Sequence, residues 1–158
     1  MPENKIQWKP LLLSLLLSLG TGALSSLFTR NSMPVYEMLE KPPLAPPPMV
    51  FPIVWTILFI LMGIAAYRIY RSSSPLKRPA LVLYVVNLAV NFFWPLLFFG
   101  LQAYLLAFIW LLLLWVIIIA LLVVFRQIDR LAAWLLVPYF LWVSFAGYLN
   151  LGIYLLNR

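Results

Sequence analysis

Cysteine and histidine are both absent from this 158-residue chain. Without cysteine there is no thiolate nucleophile, no disulfide and no Cys-ligated zinc or iron–sulfur centre. Without histidine, the usual acid–base catalyst, the commonest metal ligand and the usual axial ligand of haem are missing together. Charge is scarce too: 9% of the residues are charged, and the only carboxylates are Glu3, Glu37, Glu40 and Asp129. A soluble domain is about 25% charged and about 45–50% apolar, whereas this chain is 65% hydrophobic with a mean hydropathy of +1.02. It cannot cover itself with polar surface, so its solvent is lipid. A soluble enzyme, a disordered protein and a disulfide-stapled secreted domain are excluded. No metal site is expected, and any catalysis must draw on aromatics, amides, hydroxyls or the reactivity of a ligand.

The apolar residues fall into five runs, at about 11–28, 51–71, 80–99, 103–125 and 131–156. Each is long enough to cross a hydrocarbon core of about 30 Å. The first run follows Pro10 and carries no charge. It lacks an A-x-A type cleavage site and precedes four further spans, so it reads as a retained helix and not a signal peptide. The expected fold is all-α: a polytopic membrane protein forming one domain over 1–158, a five-transmembrane-helix bundle. Three connections are short, with a tight hairpin expected at Gly100 and Gln102. The segment from Thr29 to Pro52 differs, holding seven of the thirteen prolines in 24 residues. Dense proline restricts the backbone in advance and lowers the entropy lost on ordering. That suits a structured lid, and equally a stiff spacer.

The net charge of +7 does not indicate a nucleic-acid partner, because the basic residues punctuate apolar runs instead of forming a basic face on a water-soluble domain. They read as topology signals and as contacts with anionic headgroups. Five spans place Lys5, Lys9, Arg68, Arg71, Lys77, Arg78, Arg126 and Arg130 on the N-terminal side, and Arg30, Lys41 and Arg158 on the other. For a bacterial cytoplasmic membrane, the expected location, the positive-inside rule then places the N-terminus inside and the C-terminus outside.

No span has an ionisable acid or base at its centre, which argues against a proton-coupled carrier. In the first span Ser14, Ser18, Gly22 and Ser25 or Ser26 make a small-residue stripe that suits close helix packing, within the chain or between two copies. In the third, Tyr84, Asn87, Asn91, Trp94 and Phe98 share one face at alternating spacings of three and four. Two amides in lipid require partners, either on neighbouring helices or on a ligand. In the fifth span Tyr139, Trp142, Ala146, Asn150 and Tyr154 line one face, and Pro138 opens the helical ladder just before it. In the second, Phe51, Trp55, Phe59, Met62 and Ala66 do the same. If the three faces converge, they enclose an aromatic cavity with a few amides and hydroxyls, suited to a large flat hydrophobic ligand.

Tyr36 through Leu39, Lys41-Pro42, Pro46-Pro47, Val50-Phe51 and Val54-Trp55 resemble the first loop and second helix of the translocator protein family, also called tryptophan-rich sensory protein or TspO/MBR. Asn87, the run Asn91-Phe-Phe-Trp94-Pro95 and Phe98-Phe99-Gly100 resemble its third helix. Pro138-Tyr139, Trp142, Phe145-Ala146 and Leu149-Asn150 resemble its fifth. The resemblance implies a five-helix bundle with a cavity capped by the first loop, commonly homodimeric. It also implies ligands such as protoporphyrin IX and related tetrapyrroles, sterol in animal members, and in some bacterial members light-dependent protoporphyrin breakdown. Carried over by position, the ligand-binding candidates are Trp55, Asn87, Asn91, Trp94, Tyr139, Trp142 and Ala146, with Tyr36, Lys41, Pro42 and Pro47 in the lid and Trp55 and Trp142 as the redox candidates. Three usual loop tryptophans are replaced here, by Val35, Leu44 and Met49, which removes stacking surface from the lid. The C-terminal Leu151, Tyr154 and Arg158 match a proposed cholesterol pattern that many membrane helix ends satisfy by chance.

Three functions are compatible with these features. The leading one is a membrane receptor or carrier for a porphyrin-like ligand, with Lys41 pairing a propionate. The porphyrin would be a ligand and not a cofactor, with metal-free porphyrin favoured because no histidine can ligate haem. The second is oxidative porphyrin breakdown using the Trp55 and Trp142 indoles. The third is a regulatory membrane protein whose pocket holds sterol or lipid.

Overall fold

The computed structural model describes residues 5–158, so Glu3 lies outside the described residues. Six α-helices follow in order: α1 (Trp8–Thr29), the short α2 (Met33–Met38), α3 (Val50–Tyr70), α4 (Lys77–Pro95), α5 (Tyr104–Ile128) and α6 (Arg130–Leu156), with no strand among the described residues. The five long helices are each apolar and long enough to cross a membrane and correspond to the five expected spans. At 1.5 Å per residue, even the 19-residue α4, extended by its five-residue π-helical turn, covers about 35 Å.

Neighbour contacts run α1 to α3, α3 to α6, α6 to α5, α5 to α4 and α4 back to α1, so the helices close a ring. Among the described residues the burial pattern of α1 is inverted relative to a soluble helix. Its buried positions are Ser18, Ser25 and Thr29, while Leu12, Leu13, Leu16, Leu24, Leu27 and Phe28 are exposed. Lipid accepts the leucines, and the small hydroxyl residues let the backbones approach. Ser14 Oγ donates to the carbonyl of Gly63 at 2.7 Å, Ser18 Oγ to that of Phe59 at 2.7 Å, and Ser25 Oγ to that of Phe92 at 3.1 Å. The stripe therefore packs helices within the chain. Gly63 makes this possible: a Cβ there would stand 2.8 Å from Leu15 Cδ2 and 3.2 Å from Leu15 Cα.

Pro95 has no N–H to continue the α4 ladder, and the chain answers with a π-helical turn over Leu96–Gly100, a common response to an interrupted ladder. The Leu101 amide bonds back to Leu96 at 2.9 Å and the Ala103 amide to Leu97 at 3.0 Å. The left-handed residue of the following hairpin is Gln102, at φ 53°, and not Gly100. At the other junction Asp129 both ends α5 and caps α6, accepting from the amides of Leu131 at 2.9 Å and Ala132 at 3.4 Å. Its second oxygen accepts from Arg68 Nε at 2.7 Å, tying α3 to this turn. Beside it, the backbone amide of Gln7 donates to the Tyr67 hydroxyl at 2.8 Å. The start of α1, the end of α3 and the α5–α6 turn thus share one end of the bundle, and the lid and the end of α6 share the other.

Candidate functional site

The expected lid is part helix. The chain leaves α1 through a 3-10 turn (Arg30–Ser32) into α2, where Pro34 occupies the first turn. Proline is tolerated there because that N–H has no helical partner. Tyr36 is the buried centre of the lid, 2% exposed, with its hydroxyl donating to the carbonyl of Pro46 at 3.2 Å. Its ring lies edge-on to Phe51 at 5.3 Å and Phe99 at 6.2 Å, and the Lys41 ammonium sits 5.0 Å above it. Lys41 also donates to the carbonyls of Glu37 and Leu39, each at 3.1 Å. Two of its three N–H donors are therefore engaged inside the lid. Pro42 and Pro43 lead into Leu44, a left-handed residue at φ 73°, and the turn closes by the Ala45 amide on the Pro42 carbonyl at 3.3 Å.

Three contacts hold this segment to α6. Asn157 brackets Glu40, its Oδ1 accepting from the Glu40 amide at 3.0 Å and its Nδ2 donating to the Glu40 carbonyl at 2.7 Å. The Tyr148 hydroxyl donates to the carbonyl of Pro43 at 2.8 Å. Pro42 fills the notch over Gly152, where a Cβ would come within 2.7 Å of its ring.

Under the lid lies a cavity of about 420 Å³, within the range of about 300–1,000 Å³ usual for small-molecule sites. Its wall from α1 is small and polar: Gly22, Ser25, Ser26 and Thr29. The opposite wall, from α3, is aromatic, with Phe51, Trp55 and Phe59, and α4 adds Asn91, Trp94 and Pro95. The π-helical turn swings Phe99 into the same space, while Arg30, Met33, Pro48 and Met49 form the lid side. Among these, Ser26, Arg30, Met49 and Pro52 are exposed and make the rim. Trp94 stacks on Phe98 at 5.3 Å, and Trp55 packs at a tilt against Phe59 at 5.6 Å, which presets the orientation of both indoles.

Of the residues expected to bind ligand, Trp55, Asn91 and Trp94 line this cavity. Asn87 and Tyr139 stand behind it as support. The Tyr139 hydroxyl donates to Asn87 Oδ1 at 2.8 Å and accepts from Asn91 Nδ2 at 2.8 Å, with Tyr139 and Asn87 both fully buried. The two amides find their partner across the bundle, on α6. Trp94 Nε1 donates to Asn150 Oδ1 at 3.0 Å, and Asn150 Nδ2 to the Tyr104 carbonyl at 2.8 Å, so this indole too is locked by a buried chain of hydrogen bonds. Ala146 is buried and outside the cavity lining. Trp142 packs on the far side of Phe51, at 6.0 Å between rings, and lines an outward groove between α3 and α6 with Val54, Leu58 and Pro138. Its indole nitrogen is buried without a hydrogen-bond partner.

In the lid, Tyr36, Lys41, Pro42 and Pro47 shape the cover without lining the cavity, while Met49 lines it and Leu44 is 82% exposed. Of Val35, Leu44 and Met49, where the resemblance leads one to expect tryptophan, only Met49 lines the cavity. The residue that sequence reasoning passed over is Arg30. It reads along the chain as a topology charge, and its place at the rim follows from the helical continuation of α1 that no capping signal announced.

A ring of five membrane-spanning helices, with an aromatic cavity between three of them and a proline-rich lid anchored to the last, defines a class of integral membrane proteins built around an intrabundle pocket. The model of the TspO/MBR family matches residues 14–156, and the chain belongs to that family. It is 39% identical over 144 residues to the tryptophan-rich protein TspO of Chlorobaculum tepidum, covering 89% of this chain and 91% of that one. It is 36% identical to the protein CrtK of Rhodobacter capsulatus, covering 86% and 85%, and 37% identical to the bovine translocator protein, covering 90% and 87%.

Proposed function

We propose that this integral membrane protein is a receptor or carrier for a flat hydrophobic ligand of the tetrapyrrole class, bound between α1, the lid, α3 and α4. The observation that carries this reading is the cavity wall of Phe51, Trp55, Phe59, Trp94 and Phe99 facing small hydroxyl residues. Two fixed indoles supply stacking surface, and the serines and Asn91 supply a few polar contacts. Arg30 at the rim is the cation suited to a ligand carboxylate, since Lys41 is engaged within the lid. A guanidinium fork pairs with a carboxylate in two parallel hydrogen bonds.

The test is tryptophan-fluorescence titration of the purified protein with protoporphyrin IX, with its dimethyl ester and with haem. Saturable quenching is expected, with haem no tighter than the metal-free ring. Arg30→Gln should weaken the diacid by about two- to fivefold, the range of an exposed ion pair, without changing the ester. Lys41→Gln should change neither. No saturable binding of any of the three would refute the reading. Porphyrin photo-oxidation by two indoles is less well supported, because Phe51 stands between Trp142 and the cavity that Trp55 lines.

A further inference from the structure

At the end of the bundle away from the lid, the turn between α5 and α6 opens onto a surface groove of about 450 Å³, lined by Leu122, Arg126, Arg130, Ala133, Trp134 and Val137. Arg126 and Arg130 are exposed, and among the described residues neither guanidinium has an ion pair or hydrogen bond. The acid beside Arg130, Asp129, does not neutralise them. One of its oxygens accepts from Arg68 and the other from two amides of the first turn of α6. Two cations are thus left together at this end of the bundle. Below them the groove walls are Leu122, Ala133 and Val137, and at its edge Trp134 is 69% exposed.

Each part selects for the same occupant. Guanidinium forks match phosphate oxygens, the aliphatic walls match an acyl chain, and an exposed indole at this depth suits the headgroup boundary. A zwitterionic headgroup would bring its own cation towards two arginines; an anionic one would not. A second groove near the same end, lined by Tyr70, Lys77, Arg78 and valines of α4, is less available, because the Lys77 ammonium already lies 4.7 Å above the Tyr70 ring. We propose that the α5–α6 groove binds one anionic phospholipid, its phosphate against Arg126 and Arg130 and an acyl chain along Leu122, Ala133 and Val137. This site is separate from the cavity under the lid and does not depend on what that cavity holds.

The experiment reconstitutes the full chain into phosphatidylcholine vesicles and reads quenching of Trp134, taken as the difference between wild type and Trp134→Phe. Phosphatidylglycerol or phosphatidylcholine with brominated chains is added at increasing mole fraction. Brominated phosphatidylglycerol should quench at mole fractions about thirtyfold lower than brominated phosphatidylcholine, the fold-change that two basic residues carry at a membrane surface. The preference should disappear in Arg126→Gln/Arg130→Gln and persist in Lys77→Gln/Arg78→Gln, which removes the same charge from the neighbouring groove. Equal quenching by the two lipids in wild type would overturn the proposal. So would a preference that survives loss of the arginine pair, or one that both double variants lose alike.

Discussion

Tyr139 is where the polar demands of α4 meet those of α6. One hydroxyl serves two buried amides, donating to Asn87 and accepting from Asn91, and the indole of Trp55 lies edge-on to its ring at 6.2 Å. Asn91 therefore reaches the cavity with its orientation already set from behind. Interhelical hydrogen bonds in membranes average about 0.6 kcal/mol and reach about 1.7 kcal/mol. Tyr139→Phe removes two of them and leaves Asn87 Oδ1 and Asn91 Nδ2 without that partner, so it should destabilise the protein by about 1–3 kcal/mol. A lowered unfolding midpoint in detergent, with helical content unchanged at low temperature, is the expected result; an unchanged midpoint would mean that the amides find other partners. Arg30 and Lys41 show the opposite case, in which charge and position separate. Both were legible as cations on the lid side, but only the folded lid shows that Lys41 is turned onto its own backbone and the Tyr36 ring while Arg30 stands at the rim.

At the level of elements, two contacts hold together the segments that surround the cavity. The first is the approach of α1 to α3 at Gly63, where the Leu15 backbone occupies the room a side chain would need. Gly63→Ala should separate the two helices at a cost of about 1–3 kcal/mol, the usual range for overpacking, seen as a lower melting temperature; a melting temperature equal to wild type would show that the approach is slack. The second is the tether of the lid to α6 by Asn157, Tyr148 and Gly152. Asn157→Ala releases both hydrogen bonds to Glu40 and should speed proteolytic cleavage between Leu39 and Met49 several-fold, leaving the helices resistant. Cleavage at the wild-type rate would place the anchoring of the lid elsewhere. The π-helical turn after Pro95 belongs at this scale too, since it carries Phe99, which lines the cavity above Pro95.

For the whole molecule, the five spans and the grouping of charges at two ends were legible in the sequence, because lipid imposes length and hydropathy on every spanning helix. Periodicity also placed Asn87, Asn91, Trp94, Tyr139 and Asn150 on faces that do turn inward. It could not say which inward faces enclose space and which pack solidly, because that depends on helix approach and on the ring order. The cavity accordingly lies between α1, α3 and α4, with the small stripe of α1 as one wall, and the α6 face expected to line it serves largely as backing. Leu44 and Trp142 illustrate the limit: each occupies a family position, yet one points out of the lid and the other sits behind Phe51. The location of the ligand is therefore the central claim, and saturable protoporphyrin IX quenching compared across Trp55→Ala, Trp94→Ala and Trp142→Ala tests it most directly. Loss of either cavity indole should weaken binding by about tenfold, the worth of one aromatic contact near the upper end of its range, and Trp142→Ala should leave it within about twofold. Weakening by Trp142→Ala with the other two unaffected would contradict this account and move the ligand to the α3–α6 face.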